Sequence, residues 1–445
     1  MRLGVDITTI TPPTATNMGG YGARTGSRAG THDPLTARTL VFEDGGRKRA
    51  LLVADLILFP RSQAERIAAT AAALSGLEPA DILVTATHTH SGPLNFDAPE
   101  IGGMANPRYV AWLEKALGAS VARAAANLSP VAVGWGTMPV YGVGAIRRAG
   151  GETGVREAGV REAGSVSTIG FAAPDGSLRA VLMHYACHPT VLGAENLLYS
   201  SDLLGAARAS LERELGGGVP VVAVNGACGD VSTRFTRRGQ TFSELDRLGT
   251  LVGKAARAAL SGVVYHDVPP NTMASAAVAL ELPRRPLPEV DVALAELNQA
   301  QAHWAELQRQ ERAGLLPDHG AMRLAKTALE GALTQVKRAR AGAEAPLETE
   351  ALLTAWRFDS CGLVTVPGEL FLALGEDIAR ESGVGCCLVV GYAGGYVGYI
   401  PDGPAYAEGG YEVLSTHLDR QAGPLLVAAA ASLLRALGRE KPQGS

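Results

Sequence analysis

Several short runs in this chain are apolar at nearly every position, and they limit its possible folds more than any other feature. RALLVADLIL at 49–58, DILVTAT at 81–87, PVVAVN at 220–225 and the run 386–392 have strand length and the composition of buried strands. Stretches of helical composition alternate with them: 61–75, 107–128, 243–260 and 424–438. Further strands are predicted at 131–141, 166–173, 179–187 and 350–366, with Pro174-Asp175-Gly176 as a turn. A helix capped by Ser201 or Asp202 follows His188-Pro189. The alternation predicts an α/β fold with mixed β-sheets flanked by helices.

The stretch 287–343 is different: rich in Ala, Gln, Glu, Leu, Lys and Arg, and broken around 314–320, it reads as a helical hairpin inserted into one domain spanning 1–440. That hairpin is a lid, a docking arm or packing; the sequence does not choose. With 47% hydrophobic and 19% charged residues, disorder of the whole chain is excluded. A net charge of −4 points to neither nucleic acid nor an anionic membrane as an obligatory partner. No transmembrane run is present, and MRLGVDITTITPP lacks the pattern of a signal peptide, so a cytoplasmic location is expected. Five cysteines without regular spacing make neither a disulfide framework nor a thiolate metal site. The tandem GVREA repeat at 154–163 is read as a surface-loop duplication without a chemical role.

Chemistry-bearing residues collect where strands end. His88 and His90 follow the strand 81–87, and in an extended segment both face one side. His184 and His188 lie at the end of 179–187, four apart, which on a strand also puts them on one face. The small-residue loop Gly226–Ser232 follows 220–225; Ser232 is a candidate nucleophile or substrate donor, with Cys228 its competitor. Pro367-Gly368-Glu369 is predicted to open a helix, with Glu369 a candidate metal ligand. The loop 391–411 brings several tyrosines among glycines, and a phenol near a metal can ligate or polarise a carbonyl.

In order and spacing these sites resemble the neutral/alkaline ceramidase family, over nearly its whole N-terminal catalytic domain. The matching stretches are THTHSGP at 87–93, HPT at 188–190 with Ser200-Ser201-Asp202, GDVS at 229–232, PGE at 367–369, GY at 398–399 and YE at 411–412. The resemblance implies zinc held by His88, His188, Glu369 and Tyr399, with His90, Arg147 and Tyr411 assisting and Ser232 as nucleophile or substrate-orienting residue. Ile146 replaces the family's usual Asn, which leaves Arg147 and Arg148 both open for the arginine role. Leu94-Asn95, Thr233-Arg234 and Pro401–Pro404 also depart from the family pattern, around the substrate and not in the ligand set. The family's C-terminal immunoglobulin-like domain has no counterpart in the sequence.

The expected activity is therefore zinc-dependent hydrolysis of a small-molecule amide, of N-acyl type, ceramide-like or otherwise, placing the protein in lipid metabolism in the ceramide-like case. Two alternatives are a serine hydrolase using Ser232 and a non-catalytic zinc- or ligand-binding protein on the same fold. The sequence does not give the oligomeric state.

Overall fold

The computed structural model describes residues 1–439 apart from 15, 27, 100, 149–163, 316–318, 343–348 and 359. The GVREA repeat lies outside the described residues.

Three mixed sheets share one interior. The first has the strand order Ile82–Ala86, Arg47–Ala54, Thr36–Asp44, Arg2–Thr9, Ser129–Pro130. The second runs Val221–Asn225, Leu178–Tyr185, Ser165–Ala172, Ala132–Pro139, His266–Asp267. The third runs Ala274–Glu281, Glu350–Phe358, Cys361–Thr365, Cys386–Val390. Because successive side chains of a strand point to opposite faces, alternate residues enter different cores. Leu40, Phe42, Leu51 and Val53 of the first sheet meet Phe171 and Leu182 of the second and Trp356 and Leu388 of the third. Phe42 is the hub of this interior, with ring centroids 5.5 Å from Phe171, 5.9 Å from Phe358 and 6.2 Å from Trp356. Removing such a ring costs about 3–5 kcal/mol.

The opposite faces are covered by helices. Arg61–Ser75 and Pro107–Ala126 cover the first sheet, and Asp202–Glu214 and Phe242–Ala259 the second. Leu372–Ser382 and Ala422–Arg439 cover the third. The expected α/β class with flanking helices is therefore what the chain forms. Among the described residues no helix is long and apolar enough to cross a membrane.

Each sheet holds one parallel pair: 47–54 with 82–86, 178–185 with 221–225, and 361–365 with 386–390. The loops leaving these pairs are tied to each other. Asn225 O accepts from Gly391 N–H (3.0 Å), Val84 O accepts from Gly394 N–H (2.9 Å), and His188 bridges to Ser232. Ligands bind beyond such strand ends in open α/β sheets.

Several local expectations are corrected. The run 350–366 is a pair of antiparallel strands and not one strand. Glu369 does not open a helix: its N–H donates to Gly398 O (2.9 Å), Glu369–Leu370 pairs with Tyr399–Ile400, and the helix starts at Leu372. Ser201 does hold the N-cap position before Asp202–Glu214, but its hydroxyl binds Asp33 instead of capping. The 391–411 loop contains the helix Gly403–Glu408.

The insertion forms two helices, Val290–Arg312 and His319–Ala341, packed through Ala293, Leu297, Ala332, Val336 and Ala339. Its ends meet where Leu282 N–H donates to Thr349 O (3.0 Å), directly beyond the paired strand residues Glu281 and Glu350.

Candidate metal centre

The strand 82–86 delivers the first histidine pair, but not by simple extension. His88 has φ 68°, in the left-handed region that costs a non-glycine residue about 1–2 kcal/mol. The twist lets its N–H reach Leu56 O (2.9 Å) and its Nδ1 reach Ile57 O (2.7 Å). Tyr392, also at positive φ (57°), stacks on the His88 ring at 4.0 Å. His90 is held by Nδ1 to Gly20 O (2.9 Å), and Gly20 is obligatory because a Cβ there would lie 2.7 Å from His90 Cα.

The second sheet supplies His188, whose Nδ1 contacts Cys228 O at 2.6 Å. Buried Asn225 joins the two histidine segments, donating to Thr87 O (3.1 Å) and accepting from Cys187 N–H (3.3 Å). Glu369 follows the third sheet's strand Cys361–Thr365 and lies in the two-stranded pairing with Tyr399–Ile400. Its Oε1 accepts the Tyr396 hydroxyl, which leaves Oε2 aimed at the histidines. The backbones meet so closely that a Cβ on Gly229 would sit 2.4 Å from Glu369 O.

The ligand atoms of His88, His90 and His188 lie within 4.8 Å of one another. His90 Nε2 is 3.2 Å from His88 Nε2; Glu369 Oε2 is 2.8 Å from His188 Nε2 and 3.7 Å from His88 Nε2. The 2.8 Å approach has the length of an ion pair, yet neither atom has a hydrogen-bond partner. A carbonyl oxygen only accepts, so each Nδ1 carries the ring's proton. Burial is the main cause holding all three histidines well below their ordinary pKa, His90 at about 3, so each is neutral. Each Nε2 faces another Nε2 or the Glu369 carboxylate. His188 Nε2 and Glu369 Oε2 are accordingly buried without a hydrogen-bond partner. The fixed Nδ1 contacts are those that orient metal-binding imidazoles. These residues can hold a metal ion.

Around the cluster stand tyrosines and a buried arginine. Arg147 donates to Glu412 (2.7 Å), to Gly229 O (2.7 Å) and to the Tyr399 hydroxyl (3.2 Å). Burial opposes its charge, but Tyr399 and Glu412 overcome that and raise its pKa above the ordinary value. Arg148 turns away to Glu412, Gly409 O and Ala405 O, so Arg147 is the arginine brought to the site. The Tyr399 ring lies parallel to His188 at 6.5 Å, and Tyr411 meets Tyr399 edge-on at 5.9 Å.

Other expected residues fall elsewhere. His184 does not share a face with His188; its Nε2 contacts Val389 O (2.9 Å) and ties the second sheet to the third. Ser232 Oγ accepts from Arg234 N–H (3.3 Å), and no histidine is hydrogen-bonded to it among the described residues. Cys228 is no nucleophile: burial pushes its thiol up to about 12, and it contacts Tyr392 OH. Sequence reasoning passed over Asn225 and the carboxylate-holding role of Tyr396. Asn225 was visible as a polar residue closing an apolar strand, and Tyr396 as one of the clustered tyrosines.

Residues 1–275 match the family model described as neutral/alkaline non-lysosomal ceramidase, N-terminal. That stretch carries His88, His90, Arg147, His188 and Ser232, while Glu369, Tyr399 and Tyr411 lie beyond it. Neutral ceramidase from Pseudomonas aeruginosa superposes on 100% of this chain with a TM-score of 0.76, at 20% identity and over 75% of its own length. A ceramidase complexed with C2 also superposes on 100% of it, with a TM-score of 0.76, at 19% identity and over 76% of its own length. At these identities the likeness is one of fold. No curated protein matches the chain by sequence.

Proposed function

The chain belongs to the neutral/alkaline non-lysosomal ceramidase family, and from that premise we propose that it is a zinc-dependent amidohydrolase acting on an N-acyl amide. The observation that carries this reading is the convergence of buried donor atoms from His88, His188 and Glu369, beside His90. Nitrogen and carboxylate donors suit zinc, and donors on a tetrahedral ion with bonds of 2.0–2.1 Å lie roughly 3.3 Å apart. The 2.8 and 3.7 Å separations of Glu369 Oε2 from His188 Nε2 and His88 Nε2 bracket that value.

His88, His188 and Glu369 would hold the ion, with Tyr399 completing the set. Zinc in such a site activates water and polarises a carbonyl. His90, the least buried of the three histidines, would carry the proton to the leaving amine. Arg147 and Tyr411 would face the amide oxygen as charge develops on it. Tyr396 and the carbonyls of Ile57 and Cys228 keep the ligands oriented.

The test is metal content by mass spectrometry beside turnover of an N-acyl amide panel. Wild type should carry about one zinc per chain, lose hydrolysis on chelation and regain it with zinc; His188→Ala should carry none. Hydrolysis that survives complete metal removal would overturn the reading.

A further inference from the structure

The short helix Tyr411–Ser415 carries Tyr411 and Glu412 to the metal centre. Five residues do not make a stable helix alone, and the last carbonyls of any helix lack partners within it. Here the donors come from outside. Gln335 Nε2 donates to Leu414 O (2.5 Å), Arg338 Nη1 to Thr416 O (2.6 Å) and Arg285 Nη1 to Val413 O (2.8 Å).

Gln335 and Arg338 belong to the insertion helix His319–Ala341, and with Gly331 they follow the i, i+4, i+7 spacing of one helix face. Gly331 is instructive, because glycine inside a helix costs about 1 kcal/mol relative to alanine. A Cβ at that position would lie 2.5 Å from Leu414 Cδ1, so the close approach requires the glycine. The neighbouring stripe of Ala332, Val336 and Ala339 packs on the partner helix, which aims the 331/335/338 face at residues 411–416. Arg338 is buried, and its pKa is lowered to about 10 by burial and then by Arg285 and Arg284. A cation placed there at such a cost has a fixed task. Beyond the segment, Thr416 Oγ1 donates to Tyr399 O (2.7 Å), and Glu412 holds Arg147.

We infer that Gly331, Gln335 and Arg338 form a positioning clamp: the helical insertion caps the helix 411–415 and so fixes Tyr411, the Glu412–Arg147 pair and Tyr399 at the metal centre. The insertion is thereby part of the active-site scaffold. The catalytic consequence rests on the proposed amidohydrolase activity; the structural consequence does not.

The experiment uses the full chain carrying Gln335→Ala and Arg338→Met together, with Arg338→Lys as rescue and Lys337→Ala, on the exposed face of the same helix, as control. Hydrogen exchange of residues 411–416 should accelerate about tenfold or more in the double variant, two capping bonds being lost, while protection of the sheets stays unchanged. In the zinc-loaded enzyme kcat should fall about tenfold with KM within about twofold, as expected when a transition-state group is displaced. Arg338→Lys should recover part of both effects and Lys337→Ala should match wild type. Unchanged exchange at 411–416 in the folded double variant overturns the clamp. Faster exchange with unchanged kcat overturns its positioning role. Should wild type hydrolyse no amide at all, the proposed function fails, and the exchange arm still decides the clamp.

Discussion

Glu369→Gln offers a test in which two accounts of the centre predict opposite signs. Glu369 Oε2 faces His188 Nε2 at 2.8 Å, while Oε1 accepts from Tyr396. A glutamine keeps the Tyr396 contact through its oxygen and turns an N–H toward His188 Nε2. A repulsive approach becomes a hydrogen bond, and a buried carboxylate becomes neutral. One buried hydrogen bond contributes about 0.5–1.5 kcal/mol, and leaving such groups unsatisfied costs about 1–3, so a net gain of about 1–3 kcal/mol is expected. Unfolding entropy of about 2.1 cal/mol/K per residue gives roughly 0.9 kcal/mol/K for 445 residues. The metal-free Tm should therefore rise by about 1–3 °C. Calorimetry of chelator-stripped wild type and variant measures this directly, and added zinc should raise the Tm of wild type alone. If the pair were instead an ordinary salt bridge with a protonated His188, the substitution would break it at a cost of about 3–5 kcal/mol. A metal-free Tm lower than wild type would thus refute the proton-free cluster.

Tyr396→Phe removes the hydroxyl that holds Glu369 Oε1 and should weaken zinc binding about 10–100-fold, measured by competition with a chromophoric chelator; unchanged affinity would show that Tyr396 does not orient the carboxylate. His90→Ala should retain zinc and lose turnover at least about 100-fold; loss of the metal would instead make His90 a ligand. Asp202 has its pKa raised to about 6 by burial, although the N–H groups of Leu192, Val191 and Leu203 oppose the shift. Because the folded pKa lies above the unfolded value of about 3.9, stability from the protonated form is complete below pH ~4 and lost as pH rises through 6. Between pH 5 and 8 wild type should lose about 1.4 kcal/mol relative to Asp202→Asn, read as a narrowing Tm difference; a gap independent of pH would refute the linkage.

What the sequence made legible was what local pattern determines. RSQAERIAATAAALS gives the helix Arg61–Ser75 at its own bounds because it is rich in alanine and no glycine or proline interrupts it. The apolar runs at 81–87 and 220–225 became the strands Ile82–Ala86 and Val221–Asn225 because their short length and β-branched content suit buried strands. The failures share a cause. His184 was grouped with His188 by spacing, yet the strand ends at Tyr185 and the chain then leaves its plane, so the period-two rule no longer applies. Glu369 looked like a helix start because Pro-Gly precedes it, and a partner strand thirty residues later claimed its N–H instead. The carbonyls of Ile57, Gly20 and Cys228, which fix the three imidazoles, belong to no motif: a backbone oxygen has no sequence signature.

The insertion shows the same limit from the other side. Composition and the break after Arg312 made the two helices readable, and their Ala-rich stripe explains their mutual packing. Its task depends on where its ends are anchored. Glu281 and Glu350 are paired neighbours in the third sheet, so the hairpin leaves and rejoins the fold at one point and is free to be aimed. Its second face then meets 411–416, while the segment after the third sheet's strand Cys361–Thr365 brings Glu369 toward histidines in the loops that leave the other two sheets. An ion at this centre would tie together strand ends from all three sheets. Each sheet contributes too few donors to bind it alone, so the free energy of binding is also free energy of holding the sheets in register. The candidate ligands are spread along the chain because the candidate metal centre lies where the loops leaving the three sheets meet, and the proposed clamp acts on the 411–416 segment, which belongs to no strand.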